Sequence, residues 1–560
     1  MKKINASRRD VIKCFAGAGL LGLTGCCCRT SRPESEISFE DNSYDDQLFL
    51  MPKPVKGNMC IDVHAHFINA TDVNVKGYME GPIARTMESE TLRKLVRKLA
   101  GVIDTLAKIA PTANDEYMYL TDEFGDISFN KKSTQEIRVH LFDEIDKSRD
   151  RIAKELYKEM IDQGVDDLYI KALNDFYVRA GLAPNTKQKF TEETVRNAMD
   201  PSLRMHEFSL LSSDAQMKAS SLDPSGIIEF AGHMLSYRWQ SFLTYQKTYT
   251  EDNNSFGVDA VFASLVDFDY WLECIPASSR EDQVKLMSLM SMMSGGYMQP
   301  IVSYNPWTDI KDDDASFKLV KKAIIDYGFI GVKIYPANGF YPYGNEKLTV
   351  KTSQPRPDLK LLDEKLLVMF KWCADNNIPV MAHAAQTMGS DAGADKFGGP
   401  EGWRELLAKF QNTEKVPVIN AGHFGGASAK NNWPASFGEI MKTPAGRKFY
   451  ADTGYWTDLA NCSSQCLAKK RIEQSLTSSD GIAKDRIMYG SDWLMSSKEP
   501  GWSRYPFKIQ QQIKGLLPSD LFFHKNALAF YGFEKDSERW NDIIQRFEKQ
   551  PGGLPGWLKL

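Results

Sequence analysis

The sequence predicts an α/β protein, a (β/α)8 barrel with a large, mainly helical insertion after its first strand. Three observations predict it. From Val258 onward, short apolar runs alternate with amphipathic segments, the pattern of repeated βα units around a parallel sheet. Counted together with Cys60–His64, these runs number eight, as a closed (β/α)8 barrel requires. Between the first run and the others, 67–254 is far too long for an ordinary βα loop and carries helical periodicity of its own.

In chain order, Lys2, Lys3 and Ser7-Arg8-Arg9-Asp10-Val11-Ile12-Lys13 precede an apolar stretch from Cys14 to Thr24. This segment resembles a twin-arginine export signal and is too short and Gly-rich to span a membrane. Leu23-Thr24-Gly25-Cys26 resembles a bacterial lipobox. Residues 1–25 are therefore expected to be a signal peptide, with Cys26 lipidated and the protein held by its lipid on the extracytoplasmic, periplasmic side of a bacterial envelope. Gly17, Gly19 and Gly22 fit G-x-G-x-x-G, but they follow no strand and fall in the leader, which excludes a dinucleotide site. Residues 26–57, rich in Ser, Asp, Glu and Pro, read as a flexible tether.

The barrel is assigned to 58–66 and 255–535. Its strands are expected at Cys60–His64, Ala260–Val266, Met298–Ser303, Gly331–Tyr335, Val380–His383, Val418–Ala421, Phe449–Asp452 and Ile487–Gly490. Between strands, Glu364–Asn376 shows apolar positions near a 3.6-residue period. In the insertion, Leu92, Leu95, Val96, Leu99, Val102, Ile103 and Leu106 mark one apolar helix face, and Ile145, Ile152, Leu156 and Met160 another. Short basic clusters such as Arg93–Lys98 read as solvated helix faces, and Ser225–Thr248 as one helix. Because the insertion leaves the barrel after its first strand, it is expected to cap the mouth; the competing reading is a side-docked or oligomerising bundle. Residues 536–560 form a C-terminal extension.

The chemistry lies at the strand ends. His64 and His66, in Ile-Asp-Val-His64-Ala-His66-Phe, are two residues apart and share a strand face, a spacing that suits a metal ion. His383 and His423 end further apolar runs, and Asp492 follows in Arg-Ile-Met-Tyr-Gly-Ser-Asp492-Trp. Five candidate ligands thus stand at four strand ends, in a chain with only eight histidines.

With these residues in order, the chain resembles the amidohydrolase superfamily, in particular the amidohydrolase 2 branch that includes aminocarboxymuconate-semialdehyde decarboxylase. The resemblance covers Met59–His66 and about Val258–Gly532, including Tyr-Gly-Ser-Asp-Trp (489–493) and His-Lys-Asn-Ala-Leu-Ala-Phe-Tyr-Gly (524–532). It implies a TIM-like barrel and a divalent metal held by His64, His66, His383 and Asp492. Asp492 would also carry the proton, and His423 would polarise the substrate carbonyl or bind a second metal. Nitrogen and oxygen ligands without thiolate favour Zn²⁺ over Mn²⁺, Fe²⁺ or Co²⁺. Lys333, at the expected end of the fourth strand, is carboxylated in some superfamily members; here it is read as binding substrate charge. Tyr335, with Asn338, Tyr341 and Tyr343 in the following loop, is placed at the same mouth. The expected reaction on a small molecule is hydrolysis of an amide, lactone or ester; the alternatives are decarboxylation or an inactive lipid-anchored binding protein.

Other classes find no support. A formal net charge of −4 with mixed signs gives no basic stripe for nucleic acid. No G-x-S-x-G elbow or Walker motif is present. Export would permit disulfides, but Cys60, Cys274, Cys373, Cys462 and Cys466 are irregularly spaced, so buried thiols are expected; Cys462 and Cys466 lack the second pair a zinc knuckle needs.

Overall fold

The computed structural model describes residues 59–558 except 88, 127–133, 180, 182, 185–188, 205–222, 251–255, 274, 351–354, 387–392, 428–429, 463–465 and 550–553. The expected leader, Cys26 and the tether lie outside the described residues. Eight parallel strands pair in sequence order: β1 (Ile61–Ala65), β2 (Ala260–Ser264), β3 (Met298–Tyr304), β4 (Gly331–Ile334), β5 (Val380–Ala385), β6 (Ile419–Gly425), β7 (Phe449–Asp452) and β8 (Ile487–Met488). The chain after β8 returns to β1. Val63 N donates to Tyr489 O at 3.1 Å, Asp492 N donates to His64 O at 2.7 Å, and Ala65 bridges Trp493. The sheet thus curls into a (β/α)8 barrel as the apolar runs predicted.

Alternation along the strands makes two cores. Val63, Phe262, Ile301, Met381, Tyr450 and Met488 fill the barrel interior, and Phe533, Phe547 and Trp557 close its floor. Ile543, Phe547 and Trp557 of the C-terminal extension therefore plug the end opposite the strand C-termini. Neighbouring residues such as Val261, Val332 and Ala451 point outward against the helices.

Two bulges interrupt that alternation, both beside the candidate ligands. Asp62 pairs with Val261 and Ala65 with Ala263, so Val63 and His64 together oppose Phe262. His383 pairs with Gly422 and Ala385 with Gly425, so His423 and Phe424 together oppose Ala384. An inserted residue shifts the phase and re-aims the side chains after it. After Val63 has faced the interior, His64 does so as well; after Gly422, His423 does so too. His423 and Phe424 have φ of 66° and 43°, and Asp492 has φ 54°. Non-glycine residues in this region cost about 1–3 kcal/mol each, and such conformations concentrate at functional sites.

The insertion is helical, and its helices include α1 (Glu90–Leu106), α2 (Thr134–Asp162), α3 (Pro224–Leu235) and α4 (Arg238–Thr250). All seven apolar positions predicted on α1 are buried, as are Ile145, Ile152, Leu156 and Met160 on α2. Fully burying a Leu or Val is worth about 1.5–3 kcal/mol, against at most about 0.7 kcal/mol per residue from ordinary helix propensity. Packing, more than propensity, therefore holds α1. The expected single helix over Ser225–Thr248 is two, because Ser236 turns into extended backbone. A distant acid starts the second one: Glu116 accepts from Arg238 N at 3.0 Å and Trp239 N at 2.8 Å, serving the orphan donors of α4. The fully buried Arg238 guanidinium also pairs with Asp72 at 2.6 Å and Glu116 at 2.9 Å, tying the start of the insertion to its end.

Cys60 and Cys373 are buried thiols, as expected. Cys462 and Cys466 instead form a disulfide, their Cα atoms lying 5.8 Å apart.

Candidate metal centre

Strand ends assemble the site. His64 and His66 arrive from β1, Lys333 from β4, His383 from β5, His423 from β6, and Asp492 follows β8. All six are buried. The structure brings the predicted residues into one cluster: the His423 ring centroid lies 4.5 Å from that of His64 and 4.4 Å from that of His383. Among the described residues, donor atoms of His64, His423 and Asp492 all lie within 4.8 Å of one another. His383 stands beside this group with its ring stacked on Tyr335 at 4.3 Å.

Glycines make room for His64. A Cβ on Gly454 would stand 2.6 Å from His64 Nδ1, and one on Gly490 2.8 Å from His64 Cβ. Both are closer than real Cβ atoms approach, so the ring is seated on bare backbone. Asp62 staples the seam behind it, accepting from Ser491 N at 2.9 Å and from the α4 hydroxyl of Tyr245 at 2.7 Å.

Hydrogen bonding on the outer side fixes the tautomers. His66 Nδ1 lies 2.8 Å from Ser264 O, and His423 Nδ1 lies 2.9 Å from Gly454 O. A carbonyl only accepts, so both Nδ1 atoms carry the proton, and in the neutral rings the Nε2 lone pairs face inward. His64 Nδ1 donates to Asp452 at 2.9 Å in the same way. Nε2 of His64 and of His66 then converge on one oxygen of Asp492, at 3.4 and 3.3 Å. Lone pairs meeting a carboxylate call for a cation between them. Lys333 Nζ supplies one donor, 3.3 Å from His64 Nε2.

The protonation states suit ligation. Burial lowers the His64 pKa to about 3, outweighing the attraction of Asp452. It also pushes His383 well below and His423 below the ordinary imidazole value. Burial acts upward on Asp452, but His64 and the bond from Gly454 N hold its carboxyl below the usual range. Asp492 is likewise held down against burial by His423 and His64. Burial lowers Lys333 to about 8. Neutral imidazoles backed by acceptors, beside an ionised carboxylate, are the donor chemistry of a divalent-metal site.

A cavity of about 220 Å³ opens onto this cluster, lined by His66, His383, His423 and Asp492. Insertion residues form much of its wall, among them Ile68, Val75, Tyr78 and Ile83, with Phe230 and Met234 from α3. Tyr335 lines it as well, whereas Lys333 is not among the lining residues. Asn338 instead bonds to Asp267 O at 2.6 Å, and Tyr341 packs on Phe397. Two residues were not read from the sequence. Asp452 ends a strand just as His383 ends its run of apolar residues, a signal that was present. Lys498, which lines the cavity from the end of a short 3-10 helix, Met495–Lys498, has no such signal.

No curated protein matches the chain. Among solved structures it is similar to 4-oxalomesaconate hydratase from Rhodopseudomonas palustris, at 17% identity over 68% of this chain and 95% of that one, with a TM-score of 0.33. It is similar to a zinc-bound amidohydrolase from Burkholderia multivorans, at 13% identity over 49% and 84%, TM-score 0.32. It is also similar to 2,6-dihydroxybenzoate decarboxylase, at 13% identity over 49% and 84%, TM-score 0.31. Residues 301–533, less than half of the 560-residue chain but including His383, His423 and Asp492, match the family model described as amidohydrolase, Amidohydro_2.

Proposed function

We propose that this chain is a metal-dependent hydrolase of a C–N or C–O bond in a small amide, lactone or ester. The observation that carries this reading is the convergence of two imidazole Nε2 atoms on one carboxylate oxygen, with every Nδ1 involved already bonded outward. A divalent ion, Zn²⁺ before Mn²⁺, Fe²⁺ or Co²⁺, would be held by His64, His66, His383 and Asp492 and would polarise a carbonyl and acidify water, whose pKa falls from 15.7 to about 7 on such ions. His423 joins them: with Nδ1 donating to Gly454 O, its neutral ring offers a lone pair rather than a proton, which favours ligation over carbonyl polarisation. Asp492, ionised and facing the cavity, accepts the proton of the attacking water and returns it to the leaving group. The apolar insertion wall limits bulk water, and Tyr335, stacked on His383, presents its ring to a substrate in the cavity.

Zinc-loaded protein offered lactones, N-acyl compounds and aromatic carboxylates in ¹⁸O-water tests the class. We expect label in the product acid of a lactone, ester or amide. Carbon dioxide release without cleavage to an acid and leaving group would replace hydrolysis by decarboxylation.

We propose also that Cys26 anchors the protein to the periplasmic face of a bacterial membrane. The Cys462–Cys466 disulfide supports an oxidising compartment. Several acyl chains give stable partition, so wild type is expected in the membrane fraction and Cys26→Ala in the soluble one. Equal distribution of the two would refute the anchor.

A further inference from the structure

Among the described residues lining the cavity, Lys498 is the only Lys or Arg. Its Nζ lies 5.3 Å from the ring centroid of Tyr455 and 5.9 Å from that of Phe230. No ion pair holds it among the described residues, and the neighbouring acid, Glu499, is bonded to the Tyr455 hydroxyl. The backbone that presents it is clamped by the insertion. Arg204 Nη1 donates to Ser497 O at 2.8 Å, and a Cβ on Gly226 of α3 would stand 1.9 Å from Lys498 O. An ammonium set in an apolar wall, on a fixed backbone and without an ion pair among the described residues, feels Glu499 and Asp492 only at longer range and is poised for a counter-ion that enters with a ligand.

We propose that Lys498 is a specificity-determining residue that binds a carboxylate carried on the apolar body of the substrate, at a point distinct from the bond that is cleaved. The metal-side chemistry rests on the hydrolase reading above; the anion site does not. The cavity, about 220 Å³, falls below the roughly 300–1,000 Å³ of drug-sized sites, so the ligand is compact. The aromatic faces of Tyr455 and Phe230 hold the ammonium when the site is empty and leave its N–H donors for the anion.

The test is calorimetric titration with 3-phenylpropanoate and the neutral, non-hydrolysable 3-phenylpropan-1-ol. Zinc-loaded wild type is expected to prefer the acid by at least about tenfold, or about 1.4 kcal/mol. Lys498→Met should lose that preference while binding the alcohol and metal as before, and Lys498→Arg should keep most of it. Because carboxylates also bind metal ions, the titration is repeated on the His64→Ala/His66→Ala variant, where a preference dependent on Lys498 should persist. Circular dichroism checks folding, and Lys498→Gln replaces Lys498→Met if the latter does not fold. The proposal is overturned if wild type shows no preference for the acid, or if Lys498→Met retains it. Failure of the hydrolase reading would show separately, as missing metal or missing turnover.

Discussion

Asp492→Asn is expected to lower kcat by at least about 10²-fold while most of the bound metal remains, the scale of losing a positioned acid–base group. The carboxylate faces the cavity and lies 3.3 Å from His66 Nε2 and 3.4 Å from His64 Nε2. Asparagine preserves the shape and one oxygen toward the imidazoles, so ligation should suffer less than catalysis. An amide oxygen has no appreciable basicity near neutral pH, so the proton of the attacking water loses its acceptor. Asp492 itself is held below the usual carboxylate range and is ionised throughout the neutral region. Steady-state kinetics on a substrate from the panel, with elemental analysis of the same preparation, measures both quantities. A kcat close to wild type would remove Asp492 from proton transfer.

Replacing His64 and His66 together by Ala is expected to remove most of the metal and the activity while the barrel stays folded. The two rings supply the paired Nε2 atoms that meet Asp492, and the remaining histidines stand on other strands. Folding should survive because the interior core of Val63, Phe262 and Met381 is untouched. The main structural loss falls on Asp452, which loses its 2.9 Å partner but keeps bonds from Asn420, His423 N and Gly454 N. Breaking a buried pair costs about 3–5 kcal/mol when a charge is left uncompensated. With three donors remaining the cost should lie at or below the lower end, within the roughly 5–15 kcal/mol of a typical domain. Stoichiometric metal in the double variant would refute the assignment.

The strands were legible because their signal is local. A run such as Ile-Pro-Val-Met-Ala-His383 states its burial, its end and its polar cargo within six residues, and the structure places β5 there. The apolar face of α1 was legible for the same reason, since its period repeats every turn. The break before α4 was not, because the acid that starts that helix, Glu116, lies 122 residues from Arg238. The pairing of Cys462 with Cys466 depends on how close the fold brings their Cα atoms, 5.8 Å, which spacing alone does not give.

The same division runs through the site. The sequence by itself determined which residue types end the strands, and so that three imidazole-bearing strands and an aspartate share one mouth. Only the tertiary structure decided their aim. Simple alternation from Gly422 would turn His423 away from the interior, and a bulge whose register is set by β5 turns it back. Asp452 became the backing partner of His64 across 388 residues, and Lys498 reached the cavity because α3 packs on the backbone of its 3-10 helix. Register, bulges and contacts between remote segments depend on how strands pair and helices pack, and neither is encoded in the period or composition of any one segment.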